Sequence, residues 1–110
     1  MTDEICYAEI DPKTNLVKRV IVADKKFIEK HFKENIDNWI ETSVTGKFRH
    51  VYAGKGYKYD KKNDVFIEKK PFPSWTLDKK FNWQAPKPKP KIKDKIILWN
   101  EKKQEWEILN

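Results

Sequence analysis

The chain has 110 residues and a formal net charge of +7, with 37% charged, 38% hydrophobic and 14% aromatic residues. That length supports one modest core, and the aromatic side chains, each burying a large area, argue against a wholly disordered chain despite the charge. The longest apolar runs, Val20–Ala23 and Ile96–Trp99, are too short to cross a bilayer, and Cys6, standing alone, excludes an intramolecular disulfide.

Only Arg19 and Arg49 are arginines; the other basic residues are lysines. Lysine is a hydrated point charge suited to a solvated surface and to protecting strand edges, whereas arginine supplies the planar fork of specific phosphate contacts. Attraction to a polyanion is the second reading of this charge. No signal peptide is apparent at the N-terminus, so intracellular synthesis is expected.

In chain order, Ile5–Ile10 and Leu16–Ala23 read as two strands joined by the turn Asp11-Pro12-Lys13-Thr14-Asn15. Asp accepts amide hydrogens at the start of such a turn, Pro fixes φ, and Asn tolerates positive φ at its end. Asp24 stands where a helix N-cap belongs, and Phe27, Ile28, His31, Phe32 and Ile36 follow at helical spacing. The pattern predicts one amphipathic helix over about 24–36, packed on the sheet through Phe27, Ile28 and Phe32. Trp39–Thr42 and Phe48–Ala53 are further strand candidates, the second broken at Gly54-Lys55-Gly56. That glycine pair lacks the third glycine, the Lys-Ser/Thr pair and the following helix of a phosphate loop.

A unit then recurs: an apolar residue, Asp or Asn, a short polar run, and a return to apolar sequence. It occurs at Ile10-Asp11, Tyr59-Asp60, Leu77-Asp78 and, more loosely, Trp99-Asn100. An Asx residue opening a Lys-rich loop between strands is a hairpin signature, so four hairpins and one helix account for most of the chain. The expected fold class is α+β and β-dominated, built from successive antiparallel hairpins.

Between the second and third hairpins lies Pro71-Phe72-Pro73-Ser74-Trp75. Its prolines exclude a central strand and hold Phe72 and Trp75 extended, ready to enter a groove of this chain or of a partner. Residues 85–95 alternate Pro and Lys, which favours a polyproline II strut stiffened by like-charge repulsion. The last hairpin, Ile96–Leu109, carries Trp99 and Trp106 either side of its turn, and an isolated hairpin is marginal in water. The sequence thus divides into a β-rich body with one helix (1–84), an extended arm (85–95) and a Trp hairpin (96–110).

The block Tyr52-Ala-Gly-x-Gly-Tyr-x-Tyr-Asp60, then Asp64-x-Phe-Ile67, then Lys70-Pro-Phe-Pro-Ser-Trp-x-Leu-Asp78 resembles a small-protein family of marine tailed phages, including those of cyanobacteria. The likeness extends to Val20-Ile-Val-Ala-Asp24, Trp39-Ile-Glu-Thr-Ser43 and the Trp-Asn-Glu…Trp ending, so it covers nearly the whole chain. This chain departs in a shortened insert before Tyr52 and in more lysines. The resemblance implies a setting, the virion or the infected host cytoplasm, rather than a chemistry.

Neither His31 nor His50 has a Cys or carboxylate cluster at metal-ligand spacing, and no serine sits in a nucleophile elbow. Cys6 near a strand start reads as a small buried apolar residue. No enzyme, metal site or cofactor is expected. The leading expectation is a virion structural or accessory protein meeting a protein partner, or itself, through Phe72, Trp75, Lys87, Lys89, Lys91, Lys93, Trp99 and Trp106. The alternatives are a single-stranded nucleic-acid module with Tyr57, Tyr59, Phe66 and Trp83 stacking on bases, and a host-surface or carbohydrate-binding domain using Trp75, Trp99 or Trp106.

Overall fold

The computed structural model describes residues 4–109. The fold is α+β and β-dominated: among those residues nine short strands accompany one α-helix and one 3-10 segment. The chain forms two compact units that divide between Lys69 and Lys70. The sequence reading put its boundaries later, after residues 84 and 95. The Pro-Phe-Pro-Ser-Trp segment accordingly belongs with the arm and the last hairpin.

In the first unit, β1 (Ile5–Ile10) is the centre of an antiparallel sheet between β2 (Val17–Val22) and β3 (Trp39–Ser43). Ala8 lies opposite Val20 on one side and Ile40 on the other, so strand alternation sends Cys6, Ala8 and Ile10 to one face. That face is closed by the hairpin β4 (Lys58–Asp60) and β5 (Val65–Ile67). Ala8, Ile10, Val17, Ala53, Tyr59 and Phe66 make one buried cluster, and the Tyr59 and Phe66 rings lie 5.2 Å apart. Backbone bonds hold this second hairpin to the first: Val17 N–H donates to the Tyr57 carbonyl at 2.7 Å and Tyr59 N–H to that of Asn15 at 2.8 Å.

The helix α1 is Lys25–His31, shorter than the expected 24–36, and a 3-10 segment follows at Lys33–Asn38. The break has a tertiary cause. Phe32 leaves helical geometry and stacks on Trp39 at 4.4 Å, and the Arg19 guanidinium covers both rings. Arg19 is itself held by Glu9 at 2.8 Å. The following Asn35-Ile36-Asp37-Asn38 run contains short polar side chains that compete for backbone bonds and resist helix. Within α1 the residue that packs inward is Ile28, 2% exposed, whereas Phe27 is 44% exposed and packs on His31 at 4.4 Å. The Asp24 carboxylate caps the helix by accepting Phe27 N–H at 2.9 Å. Asp24→Ala should therefore cost about 1 kcal/mol, read as a lower urea midpoint with an unchanged slope.

Phe48–Ala53 is not a strand. Arg49 and His50 adopt left-handed backbone in succession (φ 55° and 76°), which no pleated strand accommodates. The bend aims Arg49 inward: Nε donates to Asp64 at 2.8 Å and a terminal nitrogen to the Glu41 carbonyl at 3.1 Å. Asp64 also accepts the Tyr59 hydroxyl at 2.5 Å, and that bond, ahead of the Arg49 contact, holds its carboxyl below the ordinary range.

In the second unit, β6 (Thr76–Leu77) pairs with β7 (Trp83–Gln84), and β8 (Ile96–Asn100) with β9 (Glu105–Leu109), as two separate two-stranded sheets. The recurring Asx unit is thereby present four times. Asp11, Asp60, Asp78 and Asn100 each accept an amide hydrogen two or three residues on, at 2.8–3.1 Å. Each loop then closes on a left-handed residue: Asn15, Asp64, Phe81 and Gln104. Amide donors and neighbouring side chains lower the carboxyls concerned: chiefly the Asn63 side chain at Asp60, and the Asn82 backbone N–H at Asp78.

Candidate interaction site

The chemistry-bearing part of the chain is the second unit, where four of the expected partner residues meet one another. Trp99 and Trp106 stand opposite in β8 and β9, so their indoles project from the same face at 5.1 Å, edge to face. Trp75 lies edge-on to both, at 6.1 and 5.9 Å, and Phe72 is 5.6 Å beyond it. Such tilted pairs are the preferred aromatic geometry. The groove awaiting Phe72 and Trp75 is thus the Trp face of the chain's own last hairpin.

A carboxylate locks this contact. Glu101, the first residue of the loop between β8 and β9, accepts Ser74 N–H at 3.0 Å, the Ser74 hydroxyl at 2.6 Å and the Trp99 indole N–H at 2.8 Å. The Ser74 hydroxyl, followed by the Trp99 donor, holds the Glu101 carboxyl below its ordinary range. A lowered carboxyl contributes stability that is complete above the ordinary glutamate range and is lost as pH falls through the folded value. Acid titration of tryptophan fluorescence should show one loosening step in that window, and Glu101→Gln should abolish the step.

No protein-family model, no curated protein and no solved structure matches the chain.

The Pro/Lys segment is pinned rather than free. The Trp106 indole N–H donates to the Lys87 carbonyl at 2.8 Å, and the Lys89 ammonium sits 5.8 Å over the Trp106 ring. Lys87 therefore acts through its backbone, while the side chains of Lys87, Lys89, Lys91 and Lys93 remain exposed. Ile92 is exposed among them, and an open groove of about 360 Å³ runs along the segment to Ile97. Ten lysines against five acidic side chains give residues 70–110 a formal charge of +5 out of the chain's +7. A smaller cleft of about 220 Å³ is lined by Trp75, Trp83 and Trp106 together with Lys87 and Lys89.

The proposed base-stacking residues do not form a platform. Phe66 is fully buried and Tyr59 nearly so, Tyr57 packs against the same core, and Trp83 belongs to the second unit with the Lys70 ammonium 5.9 Å over its ring. Neither Tyr59 nor Phe66 offers a face to a base. The first unit has its own cleft of about 380 Å³ near Ile28, Trp39 and Arg49, where Arg49 is already engaged by Asp64 and the Glu41 carbonyl. Among the described residues, no three of His, Cys, Asp and Glu converge as metal ligands, and no helix is long and apolar enough to cross a membrane.

Sequence reasoning missed Ser74 and Glu101 as the clasp and Arg49 and Asp64 as the tie between bend and hairpin. The one local signal for Glu101 is its place immediately after the loop-opening Asn100.

Proposed function

We propose that the chain is a non-enzymatic structural or accessory protein of a phage particle, docking through residues 70–110. The observation that carries this is the Pro/Lys segment held at the Lys87 carbonyl and the Lys89 ammonium against Trp106, with the Lys91 and Lys93 side chains exposed beyond it. A pinned, extended strip of positive charge with Ile92 set in it suits an acidic protein surface, because the segment is ordered before the partner arrives. The absence of a catalytic role is supported by how the chain uses its oriented carboxylates. Asp11, Asp60 and Asp78 hold turns, Asp64 holds Tyr59 and Arg49, and Glu101 holds Ser74 and Trp99.

The other two readings have less behind them. Tyr59 and Phe66 are core residues, which leaves nucleic-acid binding to the lysines alone. Trp99 is buried, and Trp106 has Lys89 over its ring and other indoles edge-on, so neither presents a flat face to a sugar. The test is quantitative mass spectrometry of purified particles from infected cells. A fixed copy number per particle is expected, reduced when Lys89, Lys91 and Lys93 are changed together to Glu. Finding the chain only in the soluble lysate overturns the assignment.

A further inference from the structure

The last hairpin is joined to the rest of its unit in an unusual way. β8–β9 and β6–β7 are separate sheets, with no ladder between them. The join is made by side chains: Trp75 against Trp99 and Trp106, Ser74 against Glu101, and the Trp106 indole on the Lys87 carbonyl. All of these contacts can form equally well between two molecules, provided the connecting segment can open.

That segment is built to open at one point. From Ala85 to Ile92 it has no regular partner strand, and it reverses at a turn over Lys93-Asp94 before β8 begins. Asp94 holds this reversal in left-handed backbone, φ 61°, a conformation that costs a residue with a Cβ more than it costs glycine. Lys91 and Lys93 precede it, both exposed and lining one open groove. Rotating Asp94 into extended backbone removes the left-handed turn. It also carries the hairpin outward on a polyproline-type segment that spans about 30 Å at about 3 Å per residue. The loss is burial of Trp99 and Trp106, which a second molecule restores with its own Phe72–Trp75 clamp.

We propose that the partner of this hairpin is a second copy of the same chain, the two copies exchanging residues 96–109. Each copy gives one hairpin and receives one, so the exchange closes as a two-fold dimer. This rests on the reading of residues 70–110 as the docking unit and names its partner. The clamp, the Glu101 clasp and the Lys87 carbonyl are used in both forms. Release of the left-handed turn favours the exchanged form, while the entropy of holding two molecules together favours the closed monomer, so concentration sets the balance.

Two substitutions at the hinge should push in opposite directions. Proline cannot take positive φ and drives the residue before it extended, so Asp94→Pro opens the turn. Glycine takes positive φ without strain, so Asp94→Gly keeps it closed. Sedimentation velocity on the full chain, from micromolar to submillimolar concentration, should find Asp94→Pro dimeric and Asp94→Gly monomeric. The parent should lie between, its dimer fraction rising with concentration. Adding Glu101→Ala or Trp75→Ala to Asp94→Pro should weaken that dimer at least tenfold. A monomeric Asp94→Pro overturns the proposal, whether or not its near-ultraviolet tryptophan signal survives. So does an Asp94→Gly chain as dimeric as the parent, or an Asp94→Pro dimer indifferent to Glu101 and Trp75. Monomers throughout, with the chain still present in particles, would remove the second copy as partner and leave the particle role standing.

Discussion

Replacing Phe66 with Ala is expected to remove about 3–5 kcal/mol from the first unit, the range for deleting a fully buried aromatic ring. Phe66 is 0% exposed, lies 5.2 Å from the Tyr59 ring, and belongs to the cluster that includes Ala8, Ile10 and Val17 of the sheet. The cavity cannot refill easily. Ala8 and Ala53 are already small, and Tyr59 is tethered through its hydroxyl to Asp64. A small domain holds about 5–15 kcal/mol in total, so one such loss brings the unit close to unfolding. Urea denaturation followed by far-ultraviolet circular dichroism gives the measurement. A loss below about 1 kcal/mol, the size of a surface change, would mean that the β4–β5 hairpin does not close the sheet.

Trp99→Ala should act on the second unit with comparable force, about 3–5 kcal/mol. Trp99 is the most buried of the three indoles, 9% exposed, and its removal takes away the contacts at 5.1 Å to Trp106 and 6.1 Å to Trp75. It also removes one of the three donors that hold Glu101. A two-stranded sheet without a covered face is marginal in water, so the hairpin has little to fall back on. In amide correlation spectra the resonances of 96–109 should collapse toward random-coil positions while those of 4–69 keep their dispersion. Unchanged hairpin resonances would contradict the Trp cluster as the source of its stability.

The parts legible in the sequence are those set by local chemistry. An Asx carboxylate or amide bonds backbone groups two or three residues away, so Asp11, Asp60, Asp78 and Asn100 announce their hairpins without knowledge of the rest. The β-branched run of β2 and the Asp24 cap are local in the same sense, whereas the apolar Ile5 and Tyr7 do not mark the buried face of β1, which is Cys6, Ala8 and Ile10. The errors lie where a distant residue decides. Phe48–Ala53 has strand-like composition, yet Arg49 turns left-handed in a bend whose side chain reaches Asp64, fifteen positions on. The helix stops early because Phe32 finds Trp39 and Arg19.

The same distinction governs the site. Two prolines around Phe72 and a pair of facing tryptophans mark surfaces in need of cover, but nothing local shows that they cover each other. The bond that joins them, Ser74 to Glu101, spans 27 positions. The Pro/Lys run suggested an extended strut between the body and the last hairpin, because polyproline character and repulsion are local properties. Its reversal at Asp94 and its attachment to Trp106 depend on the hairpin that follows.

The most direct test of the clasped terminal unit is proton NOE spectroscopy on the full chain at low concentration and neutral pH. Cross-peaks are expected from the Trp75 ring to the rings of both Trp99 and Trp106, and from Ser74 to the Trp99 indole side of the cluster. A Trp99–Trp106 cross-peak without any to Trp75, under conditions where the chain sediments as a monomer, would show a hairpin standing apart from its clamp and would contradict the clasp.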